Sequence, residues 1–160
     1  MIEIITGNFL EAKEKYICHQ TNCISTTKAA GIALDIFNKY PYADCYADRT
    51  ETSKPGTLDI RGDGEKNRFI INLHGQVYPG RIRYPLSDLD GQAARRKYFY
   101  HGLLRVAKIE GLESVAFPWR MGAGLAGGDF EYYLGTVRNF ADYVGESGVK
   151  VVIYRREGDE

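Results

Sequence analysis

The sequence predicts an α/β fold in which helices cover both faces of a mixed β-sheet, and three observations support this. Apolar and β-branched runs predict six strands. Amphipathic stretches between these runs predict three helices. Several strand runs are apolar throughout, which is typical of strands buried on both faces. The predicted strands cover residues 2–6, 16–21, 57–61, 69–73, 114–117 and 149–154, and the predicted helices cover residues 30–40, 92–109 and 130–144.

The first three elements follow from local patterns. Residues 2–6 and 16–21 are rich in β-branched and aromatic side chains, which favour strands. The helix over residues 30–40 stops at Pro41, because proline lacks the N–H group that a helix interior needs. The apolar face of this helix is formed by Ile32, Ala33, Ile36 and Phe37.

The remaining elements are predicted in the same way. Gly62-Asp63-Gly64-Glu65 is typical of a hairpin turn, so the third and fourth strands are expected to pair. The third helix lies between the last two strands in the sequence. The apolar faces of the second and third helices are Ala93, Phe99, Leu103, Val106 and Ala107, and Tyr133, Val137, Phe140, Ala141 and Val144.

Length, charge and cysteine content limit the function classes. A chain of 160 residues predicts one domain, residues 1–160. The 21 basic and 21 acidic residues balance, so no global field attracts nucleic acid or a membrane. Cys18, Cys23 and Cys45 are odd in number and lack a paired spacing, which disfavours a disulfide framework and a zinc site. With no apolar run of membrane-spanning length, we expect a soluble, cytoplasmic monomer that needs no metal or cofactor.

The most informative segment is the glycine-rich stretch from Met121 to Glu131, which joins a predicted strand to a predicted helix. Glycines let backbone N–H groups approach an anion closely, and a helix start adds a partial positive charge. The spacing fits neither a Walker loop nor a Rossmann fingerprint. The segment therefore predicts a phosphate site for a small molecule, and a turn that binds nothing is the alternative.

A second strand-to-helix junction contains Asn22 and, further on, Gly31-Ile32-Ala33. Two polar loops that leave strand ends toward one crevice are typical of a ligand site in an α/β protein. Together with other motifs, these loops resemble the macro-domain family, and the resemblance covers nearly the whole chain. The motifs are Thr6-Gly7-Asn8-Phe9-Leu10, Asn22, Gly31-Ile32-Ala33 and Gly122-Ala123-Gly124-Leu125.

The resemblance implies a three-layer α/β/α macro-domain fold with a mixed central sheet, and an ADP-ribose site at the strand ends. It assigns the adenine to Asn8 and Tyr154, and the distal ribose to Asn22 and the segment from Thr26 to Gly31. It assigns the diphosphate to Met121 to Leu125. The implied ligand-binding residues are Gly7, Asn8, Asn22, Thr26, Ala30, Gly31, Ile32, Met121, Gly122, Ala123, Gly124, Leu125 and Tyr154.

Three positions depart from the family pattern. Asn8 stands where the family has an aspartate, so a charged hydrogen bond to the adenine amino group would become a weaker neutral one. Gln76 stands where some catalytic relatives have a lysine, and Ala126 where some have an aspartate. Because glutamine neither takes up a proton nor forms a Schiff base, a lysine-type mechanism is disfavoured.

Two residues are the main candidates for catalysis, and His74, which ends a strand near Gln76, is a further general-acid candidate. His19 lies three residues before Asn22, as in the phosphatase branch of the family, but residues at that spacing on a strand point to opposite faces. His19 therefore reaches the crevice only if the strand bends, and a core histidine is the alternative. Asp129 would orient water or share a proton with His19, and its alternative role is to cap the last helix.

The resulting functional hypothesis is a protein that binds ADP-ribose and hydrolyses a bond at its distal ribose. The first candidate substrate is ADP-ribose 1''-phosphate, which would lose its terminal phosphate. A non-catalytic ADP-ribose reader is one alternative. Another is a mono-ADP-ribosyl hydrolase acting on an ADP-ribosylated protein or nucleic acid, which the loop from Pro79 to Asp88 would contact.

Overall fold

The computed structural model describes residues 1–159, in which six strands form one sheet in the order β1-β6-β5-β2-β4-β3. The strands are β1 (Ile2–Thr6), β2 (Tyr16–Asn22), β3 (Leu58–Gly62), β4 (Phe69–Gln76), β5 (Ser114–Pro118) and β6 (Lys150–Arg155). The helices are α1 (Gly31–Lys39), α2 (Gln92–Ala107) and α3 (Phe130–Gly145), and short 3₁₀ helices cover Phe9–Glu11 and Pro41–Ala43.

The sheet is mixed, as predicted. The pairs β1/β6, β6/β5, β5/β2 and β2/β4 are parallel, whereas β3 runs antiparallel to β4 at one edge. Gly62 pairs with Phe69, and Asp63 N donates to Arg68 O at 3.1 Å, which closes the predicted hairpin. The carboxyl ends of all strands except β3 therefore lie at the same end of the sheet.

Helices lie on both faces of the sheet, which confirms the three-layer α/β/α prediction. Alternation along β2 shows this directly, because neighbouring side chains on a strand point to opposite faces. Ile17 belongs to a core cluster with Ile36 and Phe37 of α1. Cys18 belongs to a second cluster, which contains the predicted apolar faces of α2 and α3 except for Ala93, which is exposed. In residues 1–159, no helix is long and apolar enough to cross a membrane.

The carboxyl ends of β2 and β4 differ most from the prediction. β4 continues three residues beyond the predicted end at Leu73, to Gln76. The pairing with β2 shifts there, since Thr21 pairs with His74 but Asn22 pairs with Gln76. This irregularity is a bulge, which bends a strand and re-aims its side chains. It brings Asn22 and Gln76 side by side at the end of the sheet.

Candidate ligand-binding cleft

A cleft of about 460 Å³ runs along the edge of the sheet where the parallel strands end. Its lining includes Asn8 after β1, Tyr154 on β6, Gly122 after β5, Asn22 on β2 and Gln76 on β4. Because these strands are neighbours in the order β1-β6-β5-β2-β4, the cleft has a β1/β6 end and a β2/β4 end, with the loop after β5 between them. Ligands of α/β sheets bind in a crevice at this position.

The loop after β5 is held by hydrogen bonds of its own backbone. Gly122 has φ +74°, and a Cβ atom there would lie 2.6 Å from the ring of Tyr133. Only glycine fits such a position without strain. The turn bonds run from Ala123 N to Arg120 O at 2.8 Å, from Gly127 N to Gly124 O at 3.0 Å and from Gly128 N to Gly122 O at 3.0 Å.

This loop presents free backbone N–H groups to the cleft. Ala123 uses its N–H in a turn bond and does not line the cleft. Unpaired N–H groups in a concave turn are an anion-binding feature. The N–H groups that have no acceptor among residues 1–159 belong to Gly122, Gly124, Leu125 and Ala126, and all four of these residues line the cleft.

The amino end of α1 opens into the same cleft. Its N-cap residue is Ala30, and no side chain of the described residues accepts a hydrogen bond from its first turn. Ala30, Gly31, Ile32 and Ala33 all line the cleft. An uncapped helix amino end combines unpaired N–H groups with a partial positive charge, so it favours an anion.

The start of the helix after the glycine-rich segment, α3, was expected to offer N–H groups to an anion, and it does not. The Asp129 carboxylate accepts from Glu131 N at 3.0 Å and from Tyr132 N at 3.4 Å. These N–H groups are therefore used by Asp129 rather than left for a ligand. The helix that contributes to the predicted anion site is α1, not α3.

The two N–H-bearing segments meet where Leu125 packs on Gly31. Gly31 has φ +57°, and a Cβ atom there would lie 2.7 Å from Leu125 Cδ1. The Leu125 side chain is 60% exposed, so this contact is on the surface of the protein. The contact ties the start of α1 to the loop after β5.

At the β1/β6 end, Asn8 caps the first 3₁₀ helix through its Oδ1 atom, which accepts from Leu10 N at 3.0 Å. Tyr154 donates its hydroxyl to Glu14 Oε1 at 2.8 Å and accepts from Lys13 N at 3.3 Å. Tyr154 therefore offers its ring, not its hydroxyl, to the cleft. Gly7 lies behind that ring and does not line the cleft.

At the β2/β4 end, Asn22 organises the loop that follows β2. Its Oδ1 atom accepts from Ile24 N at 3.0 Å and Ser25 N at 2.8 Å, and its Nδ2 atom donates to Ser25 Oγ at 2.9 Å. Arg49 donates to the Asn22 and Ser25 carbonyl oxygens. Asn22 thus lines the cleft and also shapes it, whereas Thr26 in the same loop does not line the cleft.

Gln76 is fixed by its neighbours at the same end. Gln20 Nε2 donates to Gln76 Oε1 at 2.6 Å, and Gln76 Nε2 donates to Tyr78 O at 2.8 Å. Beside it, Thr21 Oγ1 and His74 Nδ1 are hydrogen-bonded at 2.7 Å. Burial, reinforced by the nearby Arg49 charge, lowers the pKa of His74 to about 4. The imidazole is therefore neutral at pH 7.

The structure places His19 in the core, outside the cleft. Its side chain is fully buried, its Nε2 atom lies 2.5 Å from Asn72 Oδ1, and its ring meets the edge of Phe37. Burial lowers the pKa of His19 to about 4, although the bond to Asn72 acts in the opposite direction. The register shift comes after Thr21 and its extra residue, Gly75, is on β4, so β2 runs regularly through His19 and does not turn it toward the cleft.

Asp129 does not line the cleft either. Its carboxylate is held by the N–H groups of α3, and Arg96 Nη2 lies 3.7 Å away. The predicted cap is therefore present, and His19 and Asp129 do not form a pair in the cleft. The predicted residues that do line it are Asn8, Asn22, Ala30, Gly31, Ile32, Met121, Gly122, Gly124, Leu125 and Tyr154.

The cleft also contains charged side chains that were not among the predicted ligand residues. Lys28, Arg120 and Arg156 contribute positive charge, and Asp35 and Asp159 contribute negative charge. Arg156 and Asp159 follow β6, so their position after a strand end is the signal that points to them. Asp35 lies one helical turn after Gly31, on the helix whose amino end faces the cleft.

A cleft with unpaired backbone N–H groups at the ends of parallel strands is typical of nucleotide-binding α/β proteins. No protein-family model and no curated protein sequence matches this chain. Among solved structures, the macrodomain of Mycobacterium tuberculosis DarG is 24% identical, with a TM-score of 0.76 and coverage of 98% of this chain and 99% of that chain. The macrodomain of Thermus aquaticus DarG is 23% identical, with a TM-score of 0.71 and coverage of 97% and 98%.

A third similar structure is a mutant of the Oceanobacillus iheyensis macrodomain, solved with ADPR. It is 21% identical, with a TM-score of 0.67, and the match covers 99% of this chain and 87% of that chain. Together with the sheet order and the helix layers, these likenesses establish that the chain has a macrodomain fold.

Proposed function

We propose that the cleft binds ADP-ribose or an ADP-ribose derivative. In this proposal the adenosine lies at the β1/β6 end, beside Asn8 and Tyr154, and the distal ribose lies at the β2/β4 end, beside Asn22. The diphosphate lies between them. The observation that carries the proposal is the pair of unpaired N–H sets on the loop after β5 and on the amino end of α1.

The charge and size of the cleft support this ligand. A diphosphate has two adjacent anionic groups, and each N–H set suits one of them. Lys28, Arg120 and Arg156 exceed the carboxylates of Asp35 and Asp159 by one charge, which favours an anion. A volume of about 460 Å³ falls in the range of small-molecule sites. The structural relative solved with ADPR is a further support.

Gly124→Val tests the proposal by placing a side chain among the loop N–H groups. Gly124 has no positive φ, and a Cβ atom there would have its nearest neighbour, Arg120 O, at 4.0 Å, so the fold should tolerate the change. We expect isothermal titration to show an ADP-ribose affinity at least about tenfold lower, a loss of about 1.4 kcal/mol. Gly135→Ala, on α3 and away from the cleft, is the matched control and should bind normally. Equal affinity in Gly124→Val and the control would contradict the proposal.

Hydrolysis at the distal ribose is the second candidate function, and one observation favours it. Thr21 lines the cleft and is hydrogen-bonded to the neutral imidazole of His74. With its proton on Nε2, that imidazole accepts the Thr21 hydroxyl proton at Nδ1. For ADP-ribose 1''-phosphate, water would attack the terminal phosphorus and pass its proton through Thr21 to His74. The bond from phosphorus to the ribose oxygen would break, that oxygen would take up a proton from solvent water, and His74 would return its proton to solvent, which leaves ADP-ribose and inorganic phosphate.

Phosphate release from ADP-ribose 1''-phosphate separates this hydrolase from a reader. We expect Thr21→Val to lose turnover while it keeps ADP-ribose affinity, because valine retains the shape but not the hydroxyl. His19→Gln is the matched control, since His19 is a buried histidine outside the cleft. ADP-ribose binding by the wild type without phosphate release would select the reader. Unchanged turnover in Thr21→Val would remove the Thr21–His74 route.

A further inference from the structure

We infer that Asn8 makes the β1/β6 end of the cleft favour a purine with an oxygen at position 6 over adenine. The inference rests on the proposed function, because it concerns the base of the nucleotide that the cleft binds. It follows from the hydrogen bond that Asn8 makes within the protein.

The bond between Asn8 and Leu10 fixes which side-chain atom faces which way. Leu10 N is a donor, so the atom 3.0 Å from it is the amide oxygen, Oδ1. The other terminal atom is then Nδ2, which carries two N–H groups. Among residues 1–159, no group accepts a hydrogen bond from Nδ2, although Asn8 is exposed and lines the cleft. Asn8 therefore offers the ligand a donor.

This donor suits one class of base. An aspartate held by the same Leu10 bond would offer its second carboxylate oxygen to the adenine amino group, which is a donor. Asn8 offers N–H at that position instead, so two donors would face each other, and the adenine amino group would have to share Oδ1, which already accepts from Leu10 N. A 6-oxo group, as in hypoxanthine or guanine, is an acceptor and pairs with the Asn8 N–H. Leaving a polar group unpaired in a site is what gives hydrogen-bond-based selectivity its strength.

Two other carboxylates, those of Asp159 and Asp35, contribute acceptors at the cleft. Asp159 Oδ2 accepts from Arg156 N at 3.0 Å, and the exposed Asp35 carboxylate reaches the cleft from α1. These acceptors are the same whichever residue occupies position 8. The decisive quantity is therefore the change in base preference between the wild type and Asn8→Asp.

The experiment measures the Kd of ADP-ribose and of its hypoxanthine analogue, inosine diphosphate ribose, by isothermal titration. We expect the wild type to bind the hypoxanthine compound more tightly and Asn8→Asp to shift the ratio of the two Kd values toward ADP-ribose by about tenfold or more. The added negative charge repels both diphosphates equally, so it cancels in the ratio. Aspartate caps helices as well as asparagine does, which keeps the fold comparable.

Glu11→Gln is the matched control, because it changes the charge by one unit in the 3₁₀ helix that Asn8 caps, at an exposed residue that does not line the cleft. Its Kd ratio should equal that of the wild type. A ratio that is unchanged in Asn8→Asp, or that moves toward the hypoxanthine compound, overturns the inference and leaves ADP-ribose binding intact. Binding of neither compound to the wild type or to Asn8→Asp would instead overturn the proposed function, and the inference with it.

Discussion

Asp90 and Arg95 form a buried ion pair, with Asp90 Oδ2 2.7 Å from Arg95 Nη2, that holds the chain after β4. Asp90 also accepts from Val77 N and Tyr78 N. Arg95 also donates to the carbonyl oxygens of Tyr78 and Gly80. Because Gly80 lines the cleft, this pair shapes the wall at the β2/β4 end.

Asp90→Ala should destabilise the protein strongly, because it leaves the Arg95 guanidinium buried without its partner. Removal of one member of a buried pair costs about 3–5 kcal/mol, which chemical denaturation would measure. Asp48→Ala removes a partner of Arg61 from an exposed pair and is the control, with an expected cost of at most about 1 kcal/mol. Similar losses in the two variants would show that the Asp90–Arg95 pair has no special structural role.

Gly31→Ala should weaken ADP-ribose binding through the loop after β5. A methyl group at Gly31 would collide with Leu125 Cδ1, and φ +57° strains any residue with a Cβ atom. Leu125→Ala should recover the part of the loss that the collision causes, so the double variant should bind better than Gly31→Ala alone. Strictly additive effects in a double-mutant cycle would rule out this coupling.

Asp129→Ala should lower the free energy of unfolding by about 1 kcal/mol, because it removes the cap of α3. Asp129→Asn should keep both the stability and the ligand affinity, since asparagine caps a helix equally well. Thermal and chemical denaturation of the two variants would measure this. Loss of hydrolysis in Asp129→Asn at unchanged stability would instead give Asp129 a catalytic role.

The stability of the protein should fall as the pH is lowered from about 6.5 to about 4. Burial lowers the pKa of both His19 and His74 from 6.5 to about 4, so the unfolded chain binds more protons than the folded chain in this window. The contribution of the two neutral histidines to stability is complete above pH 6.5, their pKa in the unfolded chain. It is lost as the pH falls to about 4, their pKa in the folded protein. Each pKa unit corresponds to about 1.4 kcal/mol.

Urea denaturation at several pH values would measure this loss. His19→Gln and His74→Gln should each show a smaller loss than the wild type, because each lacks one of the titrating imidazoles. Parallel pH profiles for the wild type and both variants would assign the acid sensitivity to carboxylates instead.

The elements were predictable from the sequence because their signals are local. Apolar periodicity placed the six strands and the three α-helices, though not the two short 3₁₀ helices, and Asp129 carried a recognisable cap signal. The extension of β4 to Gln76 lacked such a signal, since His74, Gly75 and Gln76 are not apolar. Their burial depends on pairing with β2, which lies far away in the sequence.

The position of the site was predictable from the sequence, but the groups that offer hydrogen bonds in it were not. The strand-end motifs located the cleft because carboxyl ends of parallel strands meet at one edge. Which helix end stays open depends on whether a carboxylate such as Asp129 uses its N–H groups, and Ala30 carries no signal of its own. The direction of His19 depends on where the bulge falls, between Thr21 and Asn22, and residue pattern alone does not specify that.

The antiparallel direction of β3 has a practical consequence for handling this protein. The turn that joins β3 to β4, residues 63–68, lies at the opposite edge of the sheet from the cleft, since β4 begins where the other parallel strands begin. Glu65 and Lys66 in this turn are exposed. A fluorophore, an affinity tag or a surface linker attached there would leave the ligand path open, and it would give binding assays an anchoring point remote from the cleft.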